Sequence, residues 1–211
     1  MRVLVAGANG QVGQHIVRLL AERGHQIRAM IRDEDQAQRL WELGGEPVVA
    51  DLEGDVAHTV EGCDAVIFSA GGGPGSGAEK KETVDRQGAV KLIEAAREHG
   101  VRRYVMVSAM GAADPASGSE AMQPYLRAKA QADQALQESG LDYTIVRPGS
   151  LTDDPGTGIV EAGFSLRRRG EIPREDTARV IVATLDREKT VGKTFEVISG
   201  DTPIEEALDK L

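Results

Sequence analysis

The chain has 211 residues, 28% of them charged and 40% hydrophobic, with a formal net charge of -9. This length can bury a sizeable core and this composition is that of a folded globule, which excludes a disordered tail. The acidic balance and an aromatic content of 3% argue against nucleic acid, which is bound through basic surface and stacking rings.

The first element is a strand, Val3-Leu4-Val5-Ala6, an apolar run without alternation that suits a parallel strand covered on both faces. Gly7, Gly10 and Gly13 follow, and a helical pattern starts among them. Val12, Ile16, Leu19 and Leu20 share one face, Gln14, Arg18 and Glu22 lie elsewhere, and Gly24 suits the end. Glycines at a strand-to-helix turn are the setting of a dinucleotide-binding fingerprint. Gly7 permits the tight turn, Gly10 lets backbone approach a pyrophosphate, and Gly13 lets helix and strand pack closely. The helix start then offers free N–H groups and a positive dipole end to phosphate. The spacing is G-x-x-G-x-x-G rather than G-x-G-x-x-G.

A second strand is expected over 26–31, a helix over 34–43, and a third strand over 47–50 that ends at Asp51. Arg32 stands at the end of the second strand, where an acidic residue serves the ribose of NAD and an arginine suits the 2′-phosphate of NADP. Asp33, Glu34 and Asp35 beside it are of the opposite sign. The reading is NADP, with NAD as the alternative. A fourth strand over 65–68 runs into the glycine-dense segment 69–77, which reads either as a flexible loop or, from its place at a strand's carboxyl end, as a wall for the ligand crevice. Cys63, the one cysteine, has no activating neighbour in sequence and reads as a packed residue, so a disulfide is excluded and a cytoplasmic location is expected.

A long helix is expected over 79–99, with Val84, Ala89, Leu92, Ile93 and Ala96 inward. A fifth strand over 103–107 stops at Ser108, a turn-rich loop covers 111–123, and Pro124 opens a helix over 125–139. A sixth strand over 143–146 leads into Arg147-Pro148-Gly149. Beyond lie a loop over 152–158, a short extended stretch, a helix over 174–186, a strand over 194–198 and a short last helix. Strands alternating with helices at this spacing predict an α/β fold. It is a doubly wound parallel sheet of the Rossmann type in a single domain, completed by a short extension from about residue 150.

Tyr125 and Lys129, four apart on one helix, share a face, and Ser108 ends the neighbouring strand. A lysine cation beside a phenol favours its ionised form. The serine would hold a carbonyl oxygen while the tyrosine supplies a proton, with the hydride left to a nicotinamide. Ser108, Tyr125 and Lys129 are therefore the catalytic candidates. His15, His25, His58 and His99 lack ligand spacing, so no metal is expected. Arg167-Arg168-Arg169 reads as a solvated face and Asp153-Asp154 as a turn.

These residues resemble an atypical short-chain dehydrogenase/reductase, of the branch grouped with NmrA-like and NAD-dependent epimerase/dehydratase-like proteins. The resemblance is carried by Gly7-Ala8-Asn9-Gly10-Gln11-Val12-Gly13, Asp51-Leu52, Ser69-Ala70-Gly71, Ser108, Tyr125-x-x-x-Lys129 and Arg147-Pro148-Gly149. It implies that Asn9, Gln11, Val12 and Ser69 belong to the cofactor site with the glycines. It also implies that Asp51 and Leu52 contact the adenine, that Ala70 and Gly71 line the cofactor, and that Pro148 lies near the nicotinamide beside Tyr125 and Lys129. The family's asparagine on the helix after the fourth strand has no match, and Asp85 sits near that place. The expected function is an NAD(P)-dependent oxidoreductase acting on a small carbonyl or alcohol, with room for a homo-oligomer. The alternatives are a non-catalytic nicotinamide sensor and a sugar-nucleotide epimerase or dehydratase. The second is disfavoured because 62 residues after Gly149 leave little for a substrate domain.

Overall fold

The computed structural model describes residues 1–71 and 77–211. Strand β1 (Arg2–Ala6) feeds helix α1 (Gln11–Glu22). Strand β2 (Gln26–Ile31) then leads through a 3-10 turn at Glu34–Gln36 into α2 (Ala37–Glu42) and β3 (Glu46–Val49). After β4 (Ala65–Phe68) come α3 (Ala78–Lys80), a π-helical stretch over Lys81–Gly88, and α4 (Ala89–Glu98). Strand β5 (Arg103–Val107), helix α5 (Gln123–Gln137) and β6 (Asp142–Pro148) complete the part that holds the predicted site. The remainder is β7 (Ser150–Thr152), β8 (Ile159–Gly163), β9 (Glu171–Pro173), α6 (Arg174–Leu185), β10 (Lys193–Ser199), β11 (Thr202–Pro203) and α7 (Ile204–Asp209).

Nine strands form one sheet in the order β11-β8-β10-β6-β5-β4-β1-β2-β3, and β7 pairs with β9 in a small second sheet. The doubly wound order is as expected, but the sheet is not wholly parallel: β8 runs antiparallel to both β10 and β11. The cause is the link from β6. Residues 149–158 contain no helix, and a parallel return needs a crossover of about a dozen residues or more.

Alternation along the strands divides the core into two layers. Val3, Val5, Val105, Val107 and Val146 face α1 and α6, where Ile16, Leu20, Val180 and Ile181 meet them. Leu4, Ala6, Phe68, Tyr104, Met106 and Ile145 face α4 and α5, against Leu92, Ala96, Ala132 and Leu136. Burial on both faces explains the unbroken apolar runs. The register aligns Ala6 with Phe68, Phe68 with Met106 and Met106 with Ile145. Gly7 and Ser69, one residue further on, and Ser108 and Arg147, two residues further on, therefore emerge along one carboxyl edge.

A second expectation needs correction here. The helix expected over 79–99 is not regular, because Lys81–Gly88 is π-helical. The wider turn carries Asp85 fully inside, where it is 0% exposed, and such π segments recur at functional sites. The expected loop over 152–158 lies between β7 and β8, and Asp176 at the start of α6 ties it down. Its carboxylate accepts from Thr157 N at 2.7 Å, Thr157 Oγ1 at 3.0 Å and Gly158 N at 2.9 Å.

Candidate active site

The turn from β1 to α1 is built around absent side chains. Gly7 has φ +82, and a Cβ there would lie 2.6 Å from Ala70 N, so this turn presses against the chain leaving β4. At Gly13 a Cβ would lie 2.0 Å from Gly7 O, which is why only glycine lets α1 start so close to the strand. Gly10 caps the helix, and its N–H donates to Gly7 O at 3.0 Å. A Cβ at Gly10 would meet only Gly7 O within 4 Å, at 3.2 Å, so it would fill the open space before the helix.

The first turn of α1 holds no acidic residue and no side-chain cap. The N–H groups of Gln11, Val12 and Gly13 thus precede the first intrahelical acceptor and point out of the helix end. This cradle fits a nucleotide diphosphate. Val12 packs on the core, Gln11 is exposed, and Asn9 O accepts from Gln14 Nε2 at 2.9 Å.

Along the same edge, the exposed Arg32 guanidinium lies 3.5 Å from Asp33 Oδ2. Asp51 is exposed, and its Oδ1 accepts from Glu53 N, whereas Leu52 is buried against Gly88. Lys91 donates to the carbonyls of Leu52, Glu53 and Gly54 at 3.1, 2.8 and 3.2 Å, so it fixes the loop that carries Asp51. Ser69 commits its hydroxyl to Ala6 O at 3.0 Å. Ala70 is buried and Gly71 exposed. Of the predicted crevice wall, residues 72–76 lie outside the described residues. Pro148 is buried at the end of β6, and its carbonyl accepts from Met110 N.

The three catalytic candidates converge between β5 and α5. Lys129 is 4% exposed and its ammonium lies 5.8 Å from the Tyr125 ring centroid. Lys129 Nζ also donates to Val107 O at 3.3 Å and to Ala70 O at 3.4 Å, which places it between the ends of β4 and β5. Ser108, next after Val107, is 3% exposed, and its N–H donates to Val146 O. Tyr125 is half-buried, with a second cation, Lys81, 5.6 Å from its ring centroid.

Asp85 completes the group. Its Oδ1 lies 3.2 Å from Lys129 Nζ, and neither side chain is more than 5% exposed. Burial pulls the Lys129 pKa down, yet the charges of Tyr125, Asp85 and Asp133 outweigh it and the net shift is upward. Lys129, beside the Asp85 carboxylate, is thus held in its charged form. The Asp85 carboxylate is what permits an ammonium this deep, since a buried charge needs a partner.

Residues that were not singled out as candidates in the sequence also line this site. Asp133, 2% exposed, is bound by Arg147, whose Nε and Nη2 each lie 2.9 Å from Oδ2. Asp133 follows Lys129 by one helical turn, so the spacing of Tyr125, Lys129 and Asp133 contained a signal: three polar groups on an otherwise apolar stripe with Ala132 and Leu136. Lys81 and Lys91 had none.

Residues 7–188 match the model of the NAD(P)H-binding family. The chain belongs to that family. This NAD(P)H-binding protein is 47% identical to the uncharacterized sugar epimerase YhfK of Bacillus subtilis, over 100% of both chains. A solved structure from Bacillus halodurans, named for the NAD-dependent epimerase/dehydratase group, superposes with a TM-score of 0.98 at 45% identity, covering 100% of each chain. The oxidoreductase ylbE of Lactococcus lactis gives a TM-score of 0.90 at 30% identity, over 100% of this chain and 96% of that one. The fold and family implied by the resemblance are those found. Among the described residues, no helix is long and apolar enough to cross a membrane.

Proposed function

We propose that this protein is an NADP-dependent oxidoreductase that acts on a small carbonyl or alcohol through Ser108, Tyr125 and Lys129. The observation that carries the reading is the buried Asp85–Lys129 pair beneath the Tyr125 ring, at the carboxyl edge that also holds the glycine turn. A bound nicotinamide supplies or accepts the hydride. The chain's part is to place a proton donor and the charges that support it. Negative charge left on the Tyr125 oxygen after proton transfer is met by Lys129, which Asp85 holds in place, and by Lys81. The diphosphate belongs over the start of α1, the adenine beside Asp51 and Leu52, and a 2′-phosphate within reach of Arg32. A small-molecule substrate fits this reading.

A pure nicotinamide sensor would gain nothing from burying an ion pair under a tyrosine, which favours turnover. An epimerase reading, after the names of relatives, would use the same tyrosine. A screen of NADPH and NADH oxidation over aldehydes, ketones and quinones, run beside sugar nucleotides, separates the two. In that screen Tyr125→Phe should lower kcat by 100-fold or more, on the order expected for loss of a general acid, with the Kd for NADPH within about twofold of wild type. Full activity of Tyr125→Phe on the best substrate would remove the proposed proton donor.

A further inference from the structure

Strand alternation sends Ser108, at the end of β5, and Arg147, on β6, to the same face of the sheet as Tyr104, Met106 and Ile145. That face is covered by α5, and Asp133 meets them from it. Arg147 occupies Oδ2 of the carboxylate. The other oxygen, Oδ1, and the Ser108 Oγ are both buried and, among the described residues, without a hydrogen bond of ordinary geometry. They are neighbours all the same. Burial pushes the Asp133 pKa up, and the Arg147 charge, the Ser108 hydroxyl and Lys129 pull against it without cancelling the rise. Two buried polar atoms left without hydrogen bonds on neighbouring side chains are unfavourable, and a hydrogen bond between them satisfies both.

We propose that Asp133, anchored by Arg147, is a positioning residue that accepts the Ser108 hydroxyl hydrogen and turns the serine lone pairs toward the cleft. The inference rests on the reading of Ser108 as part of the catalytic group, and it changes what that serine does. With its hydrogen committed to Asp133, Ser108 is an acceptor and cannot donate to a carbonyl oxygen. It holds the hydroxyl of the alcohol form, and Tyr125 becomes the donor to the carbonyl form. The direction of the bond follows from the surrounding charges. Arg147 from β6 and Lys129 from α5 both face the carboxylate and favour its ionised state, which accepts and does not donate.

The test is a carboxyl 13C NMR titration of aspartate-labelled, sequentially assigned protein, wild type against Ser108→Ala, across the acidic range. Removal of one hydroxyl oxygen should raise the Asp133 midpoint, because the carboxylate loses a donor. A purely structural Asp133–Arg147 ion pair would titrate the same in both proteins, and an unmoved midpoint overturns the proposal. In a second arm, Asp133→Asn should lower kcat for NADPH-dependent reduction of 9,10-phenanthrenequinone by about tenfold, as for one lost charged hydrogen bond, with the KM for NADPH unchanged. Wild-type kcat in that variant also overturns it, and if Asp133→Asn fails to fold the titration decides alone. If the midpoint moves but wild type reduces no carbonyl compound, the placement of Asp133 stands and the oxidoreductase reading fails.

Discussion

Replacing Asp85 by asparagine keeps the shape of the side chain and removes the charge that sits 3.2 Å from Lys129 Nζ. At that separation and an effective dielectric of about 20, the attraction is about 5 kcal/mol. Part is recovered because asparagine carries no charge to desolvate, and removal of one partner from a buried pair costs about 3–5 kcal/mol. Taking about 3 kcal/mol, the melting temperature of a chain this size should fall by about 6–12 °C. Denaturant titration and calorimetry at neutral pH read this directly. The pH dependence adds a check of sign. The Lys129 pKa is raised in the folded protein above its ordinary 10.5, so the stabilisation is fully present below the unfolded value and is lost as pH rises through the folded one. The gap between wild type and Asp85→Asn should therefore hold across neutral pH and narrow as pH rises through the alkaline range. A double variant, Asp85→Leu with Lys129→Met, should recover most of the lost stability, since apolar groups of similar volume replace a buried pair at little cost. A stability loss below about 1 kcal/mol, or a double variant no better than the sum of its parts, would show that the pair is not coupled as the geometry requires.

Gly13→Ala should prevent folding or cost more than about 3 kcal/mol, because a Cβ 2.0 Å from Gly7 O forces the helix off the strand. Gly10→Ala meets only Gly7 O at 3.2 Å and should fold, yet bind NADPH at least about tenfold more weakly as its methyl enters the diphosphate space. Circular dichroism and cofactor titration on the two variants distinguish packing from binding, and NADPH affinity unchanged in Gly10→Ala would count against the proposed cradle. The proposed NADP preference rests on Arg32, and Arg32→Glu should reverse it by weakening NADPH by about tenfold or more while leaving NADH near wild type. Equal affinities for both cofactors in both proteins would remove that role.

How much of this was readable in the chain depends on the range over which each feature is determined. The β1 turn was legible because three glycines, a strand and a helix lie within two dozen residues and their reasons are local. Strands over Gln26–Ile31, Ala65–Phe68 and Arg103–Val107 were legible for the same reason, as short stretches rich in apolar residues set between polar or glycine-containing segments. The reversal of β8 was not, since strand direction depends on what the intervening chain packs against. Nor was the π-helical stretch, whose cause is tertiary. Gly88 against Leu52 and Asp85 toward Lys129 are contacts between segments some 36 and 44 residues apart.

The catalytic candidates divide the same way, and the division bears on what the site is. Tyr125 and Lys129 could be paired from a helical repeat, whereas the part played by the carboxylates could not be read the same way. Asp133 had only its place one turn after Lys129 and Asp85 had no such spacing, because an acidic residue on a helix is ordinarily a solvated one. Only burial distinguishes them, at 0% and 2% exposure, and each is matched by a cation, Lys129 for one and Arg147 for the other. Two buried ion pairs are an expensive way to hold a helix on a sheet, since apolar residues of the same volume would do so as well or better. Their persistence at the carboxyl edge, one beneath a tyrosine and one behind a serine, is accounted for if the charges serve the two hydroxyls. It has no account if the helix is merely packed.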